Sequence, residues 1–185
     1  MPDEPTRTRE TSSPINQRLR VVEGNITGEA VDVIVNAANS ALKRGGGVDG
    51  AIHRAAGPEL QDALDVFGGC PTGDCRITPG FRLKARHIIH CVGPVWRGGG
   101  YGEEALLASC YRNALALAAR QGCRDIAIPA ISTGIYGFPR EQAVEIAIAT
   151  VRDELTRAEA VREVRFVCFD RETADLYRGR LDHAR

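Results

Sequence analysis

Two kinds of apolar pattern alternate along this chain. Short continuous runs such as Val33-Ile34-Val35, the mark of strands buried on both faces, are separated by longer segments whose apolar residues return every three or four positions. In order, they predict strands at 19–23 and 31–36, a helix at 47–56, a short helix at 58–66, and a turn-rich segment carrying Gly68-Gly69, Pro71, Gly73 and Pro79-Gly80. A strand at 87–92, a helix at 103–121 closed by Gly122, a strand at 125–130, a helix at 139–156, a strand at 163–169 and a helix at 171–178 complete the series. Parallel neighbours need a crossover connection, and βαβ crossovers are nearly always right-handed. The alternation therefore predicts an α/β fold, a three-layer α/β/α sandwich around a mixed, mostly parallel central sheet. In the helix from 103, Ala105, Leu106, Ala108, Tyr111, Leu115 and Ala118 form an apolar face rich in small residues, suited to close packing on that sheet.

With 185 residues, 43% of them hydrophobic, the chain can bury one ordinary core. Residues 1–15 are polar and interrupted by Pro2, Pro5 and Pro14, so they read as a disordered N-terminal tail ahead of a single domain at 16–185. The 24 basic and 24 acidic side chains cancel, which leaves no global field to attract nucleic acid or an anionic membrane. No stretch approaches the length of a membrane span and no apolar leader opens the chain, so a cytoplasmic location is expected. Six cysteines lack both Cys-x-x-Cys pairing and the density of a disulfide scaffold, and they read as reduced packing residues. Cys70, Cys75, His87, His90 and Cys91 are close in sequence without a recognised ligand spacing, so no metal is assigned.

The polar groups that stand out follow the strands. Gly45, Gly46 and Gly47 precede a helix start near Val48, where unhindered amides and a helix N-terminus can face one anion. Gly45, Gly47 and Gly50 satisfy G-x-G-x-x-G, but the run begins well after its strand, which argues against a dinucleotide dehydrogenase. A second strand, loop and helix start occurs where residues 125–130 lead into Ser132-Thr133-Gly134-Ile135-Tyr136-Gly137-Phe138 and Pro139 opens a helix. Two such loops fit a pyrophosphate-containing nucleotide, with Tyr136 and Phe138 offering ring faces. Neither loop has the Gly-Lys-Ser/Thr of a P-loop, which excludes that class of nucleoside triphosphatase. Asn36 and Asn39 stand at the exit of the strand at 31–36, where an amide can serve a sugar hydroxyl pair or simply form a turn. Asp49 and His53, spaced i,i+4, share one helix face.

Through Gly24-Asn25-Ile26-Thr27, Val31 to Asn39, Gly45 to His53 and Ser132 to Phe138, the sequence resembles the macrodomain family, in particular its MacroD-type branch, from about Leu19 to Tyr177. The resemblance implies binding of ADP-ribose and its release from Asp or Glu side chains of mono-ADP-ribosylated proteins, together with deacetylation of O-acetyl-ADP-ribose. It implies no cofactor, and a monomer is expected. By the same resemblance Asn39 contacts the distal ribose and Asp49 orients or activates the attacking water. Gly45, Gly46 and Gly47, with Val48, approach the diphosphate and distal ribose, while Ser132, Thr133, Gly134, Ile135 and Tyr136 form the second diphosphate loop. Phe138 shapes the distal-ribose end, Asn36 and His53 support the loop and helix, and Asn25 and Ile26 serve the base. Asn25 stands where the family usually has an aspartate, and Lys43-Arg44 where it commonly has an apolar residue and a glycine. The alternative is a non-catalytic reader that binds ADP-ribose through the same loops.

Overall fold

In the computed structural model, residues 14–182 are described, so the tail expected over 1–15 lies outside them except for Pro14 and Ile15. The elements are β1 (Leu19–Glu23), β2 (Val33–Ala38), α1 (Gly47–Ala56), α2 (Glu59–Asp65), β3 (Cys75–Pro79) and β4 (His87–Val92), then α3 (Glu103–Arg120), β5 (Asp125–Pro129), α4 (Arg140–Leu155), β6 (Glu163–Cys168) and α5 (Arg171–Asp182). They form one six-stranded sheet in the order β1-β6-β5-β2-β4-β3, parallel throughout except for the antiparallel edge strand β3. Among the described residues no helix is long and apolar enough to cross a membrane.

Strand periodicity sorts the core into two layers. Val33 and Val35 of β2 and Ile89 and Cys91 of β4 join α3, α4 and α5 on one face, whereas Ile34 and Ala38, with Ile88 and Val92, join α1 and α2 on the other. Asn36 and His90, paired in register, fall on the α1 face and are fully buried. The sheet is thus covered on both sides, as the apolar strand runs require.

β2 sends its chain to α1 on one face, and its neighbour β5 sends its chain to α4 on the other. Adjacent strands whose connections part in this way open a crevice at their carboxyl ends. The crevice is widened by weak pairing: β2 and β5 are in register only at Val33 with Ile126 and Ile34 with Ala127, whereas β2 and β4 pair along all six residues.

Two expectations need correction. The segment read as turn-rich contains β3, and β3 brings Cys75 opposite Cys91 with their Cα atoms 4.2 Å apart, so these two cysteines form a disulfide and are not reduced. Cys70, Cys110, Cys123 and Cys168 are free thiols, all buried.

Candidate active site

The crevice holds a cavity of about 300 Å³ between the two glycine loops. The β2–α1 loop contributes Asn39, Gly45, Gly46, Gly47, Val48 and Asp49, and the β5–α4 loop contributes Ser132, Gly134, Ile135 and Tyr136. Small residues that the sequence did not single out, Ala37, Ala38, Gly93 and Ala130, complete the lining with Ile131. Their signal was available as a run of small side chains at three strand ends, a composition that keeps a floor low enough for a ligand to approach backbone.

Not every expected residue faces this cavity. Phe138 is buried, with its ring centroid 4.7 Å from that of Trp96, and so belongs to the core beneath the loop. Thr133 lies in the loop without lining the cavity, and Asn25 and Ile26 sit beyond the end of β1. Asn25 caps a 3-10 turn there: its Oδ1 accepts from Thr27 N at 3.0 Å and from Thr27 Oγ1 at 2.8 Å. Beside it, Phe169 follows β6 and is 82% exposed, an aromatic face that the sequence reading passed over as part of a strand.

The first loop is built by its own polar side chains. Asn39 folds it, donating from Nδ2 to Lys43 O (2.6 Å) while Oδ1 accepts from Lys43 N (3.1 Å). Asp49, almost fully buried, accepts from Gly45 N at Oδ2 (2.6 Å) and from Asn36 Nδ2 at Oδ1 (2.7 Å). Gly50 lets the loop cross α1, since a Cβ there would come within 2.7 Å of Gly45 O. Lys43 and Arg44 tie the outer half to α2: Lys43 Nζ meets Asp65 Oδ1 at 2.5 Å, and Arg44 N donates to Gln61 Oε1 at 3.0 Å. The Lys43 side chain is thus paired with α2, whereas the Arg44 contact is made by its backbone and would be open to any non-proline residue there.

Asn36 Nδ2 also reaches His90 Nδ1 (3.1 Å), and His90 Nε2 reaches Thr78 Oγ1 (2.9 Å). Burial, with a smaller contribution from the nearby His53, pulls the His90 pKa down to about 3, so the ring is neutral at physiological pH. His53 Nε2 stands 3.5 Å from Asp49 Oδ1; burial lowers its pKa, opposed by the Asp49 carboxylate.

In the second loop, Phe138 N donates to Ser132 O (2.9 Å), and Trp96 N donates to Tyr136 O (2.8 Å), fixing the loop to the segment after β4. Among the described residues the amides of Gly134, Ile135 and Tyr136 donate to no other protein group, and the first-turn amides of α1 lack intrahelical acceptors. Both loops thus present free N–H groups to one space, a suitable cradle for an anion. Ser132 adopts a left-handed backbone with φ 65°, and its buried Oγ has no hydrogen-bond partner. Gly93 permits this: a Cβ there would meet Ser132 Oγ at 2.2 Å and Ile131 Cγ2 at 2.6 Å. Gly93→Ala is accordingly expected to lower stability by about 1–3 kcal/mol through overpacking. Urea denaturation measures this directly, and an unchanged midpoint would show that the close approach is not required.

A family model described as Macro domain matches residues 35–147, which contain both loops. A macro domain-containing protein of Chlorobaculum tepidum is 55% identical over 91% of this chain and 98% of its own length. A Salmonella newport protein named O-acetyl-ADP-ribose deacetylase is 56% identical over 88% of this chain and 93% of its own. Among solved structures, a variant of the Oceanobacillus iheyensis macrodomain with ADPR superposes with a TM-score of 0.87 at 43% identity, covering 94% of this chain and 97% of that one. The Trypanosoma brucei macrodomain in complex with ADP-ribose gives a TM-score of 0.85 at 39% identity over 92% of this chain and 72% of that one. On the sequence match, the mixed six-stranded sheet and the paired loops, this chain belongs to the macro domain family.

Proposed function

We propose that the cavity binds ADP-ribose and that the protein hydrolyses esters of its distal ribose, both O-acetyl-ADP-ribose and ADP-ribose carried on Asp or Glu side chains of proteins. The observation that carries this reading is the position of Asn39 and Asp49 on the wall of a cavity whose two loops offer free backbone amides. A relative named O-acetyl-ADP-ribose deacetylase at 56% identity and a solved relative with ADPR support it.

The dimensions agree. From the end of β2 to the end of β1 is three interstrand spacings, roughly 14 Å at about 4.8 Å each, a span suited to an extended ADP-ribose. The diphosphate then meets the amides between β2 and β5, and the adenine reaches Asn25 and the exposed ring of Phe169. Since Asn25 Oδ1 already accepts from Thr27, its Nδ2 is the more available group for the base.

At the other end, Asn39 keeps one amide proton and one lone pair beyond its bonds to Lys43, enough to hold a ribose hydroxyl. Asp49 orients water or accepts its proton as the water oxygen attacks. The ester carbon–oxygen bond breaks and the acid product leaves as carboxylate; in acyl attack the proton taken from water passes to the departing ribose oxygen, and in attack at the sugar carbon the water oxygen becomes the ribose hydroxyl and the proton goes to solvent. A non-catalytic reader is the second reading, favoured by the fact that both Asp49 oxygens are already engaged, one by Gly45 of the loop and one by Asn36 of β2.

The test is a panel of O-acetyl-ADP-ribose and Glu-linked, Ser-linked and Arg-linked ADP-ribose in H₂¹⁸O. A hydrolase of this class releases the two ester substrates, and the label enters the carboxylate for acyl attack or the ribose for attack at the sugar carbon. Stable binding with no release from any ester assigns the protein to the reader class.

A further inference from the structure

A chain of buried hydrogen bonds runs from the edge strand to the glycine loop, and its far half has no place in the mechanism above. Thr78 on β3, His90 on β4 and Asn36 on β2 occupy the α1 face of three adjacent strands, each 3% exposed or less. Thr78 Oγ1 donates to Pro79 O (3.1 Å), which leaves its lone pairs for His90 Nε2 at 2.9 Å. The proton of a neutral ring must then lie on Nε2, and Nδ1 must accept from Asn36 Nδ2 at 3.1 Å. The second Nδ2 proton goes to Asp49 Oδ1 at 2.7 Å, and the other Asp49 oxygen takes Gly45 N at 2.6 Å. Each proton in this series has one acceptor, the two on Asn36 Nδ2 being shared between His90 and Asp49, and each orientation is set by the group before it.

We propose that His90, held in its Nε2–H tautomer by Thr78, is a positioning residue that orients Asp49 through the Asn36 amide. The claim rests on the reading that Asp49 serves ester hydrolysis. Its consequence is a control point on β3, two strands away from the cavity wall that β2 supplies. Were the ring proton on Nδ1, it would oppose the Asn36 N–H, and turning that amide would set Oδ1 against the Asp49 carboxylate. Either arrangement displaces Asp49 or the Gly45 amide it holds.

Thr78→Val keeps the side-chain shape and removes the acceptor that fixes the tautomer. It is expected to lower kcat on O-acetyl-ADP-ribose at least tenfold, with KM and the Kd for ADP-ribose within threefold, while Thr78→Ser retains activity. His90→Asn puts an acceptor near the position of Nδ1 and should keep kcat within about threefold. His90→Gln reaches only toward Thr78 and should lose it, although both remove the ring. Hydrogen exchange at the Gly45 amide should quicken in Thr78→Val and His90→Gln, with the strand amides of β2 unchanged. Wild-type kcat in Thr78→Val, or equal kcat in His90→Asn and His90→Gln, overturns the inference. A wild type that cleaves no ester refutes the functional reading instead, and Gly45 exchange then decides the positioning claim, an unchanged rate in Thr78→Val overturning it.

Discussion

Asp49→Ala should reduce turnover of O-acetyl-ADP-ribose by at least about a hundredfold while leaving the Kd for ADP-ribose within about tenfold, roughly 1.4 kcal/mol. The separation follows from geometry. The diphosphate is offered amides from both loops, and among the described residues Asp49 is the one charged group on the cavity wall and the one placed to take a water proton. Asp49 also anchors its loop, however, so alanine frees both Gly45 N and Asn36 Nδ2. Asp49→Asn is the sharper variant. It preserves volume, yet whichever way its amide is turned one bond becomes donor against donor, because Gly45 and Asn36 both donate. Loss of turnover with near-normal binding in Asp49→Asn would locate the defect in chemistry; loss of binding in step with turnover would assign Asp49 to loop anchoring. Single-turnover kinetics and calorimetric titration with ADP-ribose make the distinction, and unchanged turnover in both variants would remove Asp49 from the mechanism.

The parts of this site that were legible in the sequence are those encoded locally. The limits of β1, α1 and β4 could be read residue for residue, because apolar runs or a helix-starting glycine mark them. The two glycine loops were legible for the same reason. What was not legible depends on pairing. β2 was expected to end at Asn36, since Asn-Ala-Ala is poor strand material, but register with β4 carries it on through Ala38. Asn36 therefore points into the interior rather than standing at the strand exit, and its partner His90 is visible only once that register is known. β3, no shorter than β1, was hidden by the proline that ends it, Pro79, and by the Gly80 that follows, and with it went both the Cys75–Cys91 disulfide and the Thr78 hydroxyl. Phe138 shows the opposite limit: a ring in a loop motif was read as a ligand face, while packing on Trp96 draws it into the core.

Acid should destabilise this protein well before its carboxylates protonate. His90 is neutral in the folded state with its pKa pulled down to about 3, against 6.5 for an exposed imidazole, because burial disfavours the cation. Between those values the unfolded chain binds a proton that the folded chain refuses, so stability is fully present above pH 6.5 and falls as the pH drops toward 3. Between pH 7.5 and 5 the loss from this one residue is about 2 kcal/mol, at about 1.4 kcal/mol per unit once the unfolded imidazole is charged. His53, whose pKa is also lowered, adds to the fall with the same sign. Carboxylates held below their usual range, such as Asp74 beside Arg76 and Asp170 beside Thr173, lose their contribution only at lower pH, which leaves the window above pH 5 to the histidines. Urea denaturation at intervals from pH 7.5 to 5 should show the decline, and His90→Asn, which cannot titrate there, should flatten it by about 2 kcal/mol over that range. An equally steep decline in His90→Asn would mean that His90 carries its proton into the folded state, which would also remove the fixed tautomer on which the orientation of Asp49 depends.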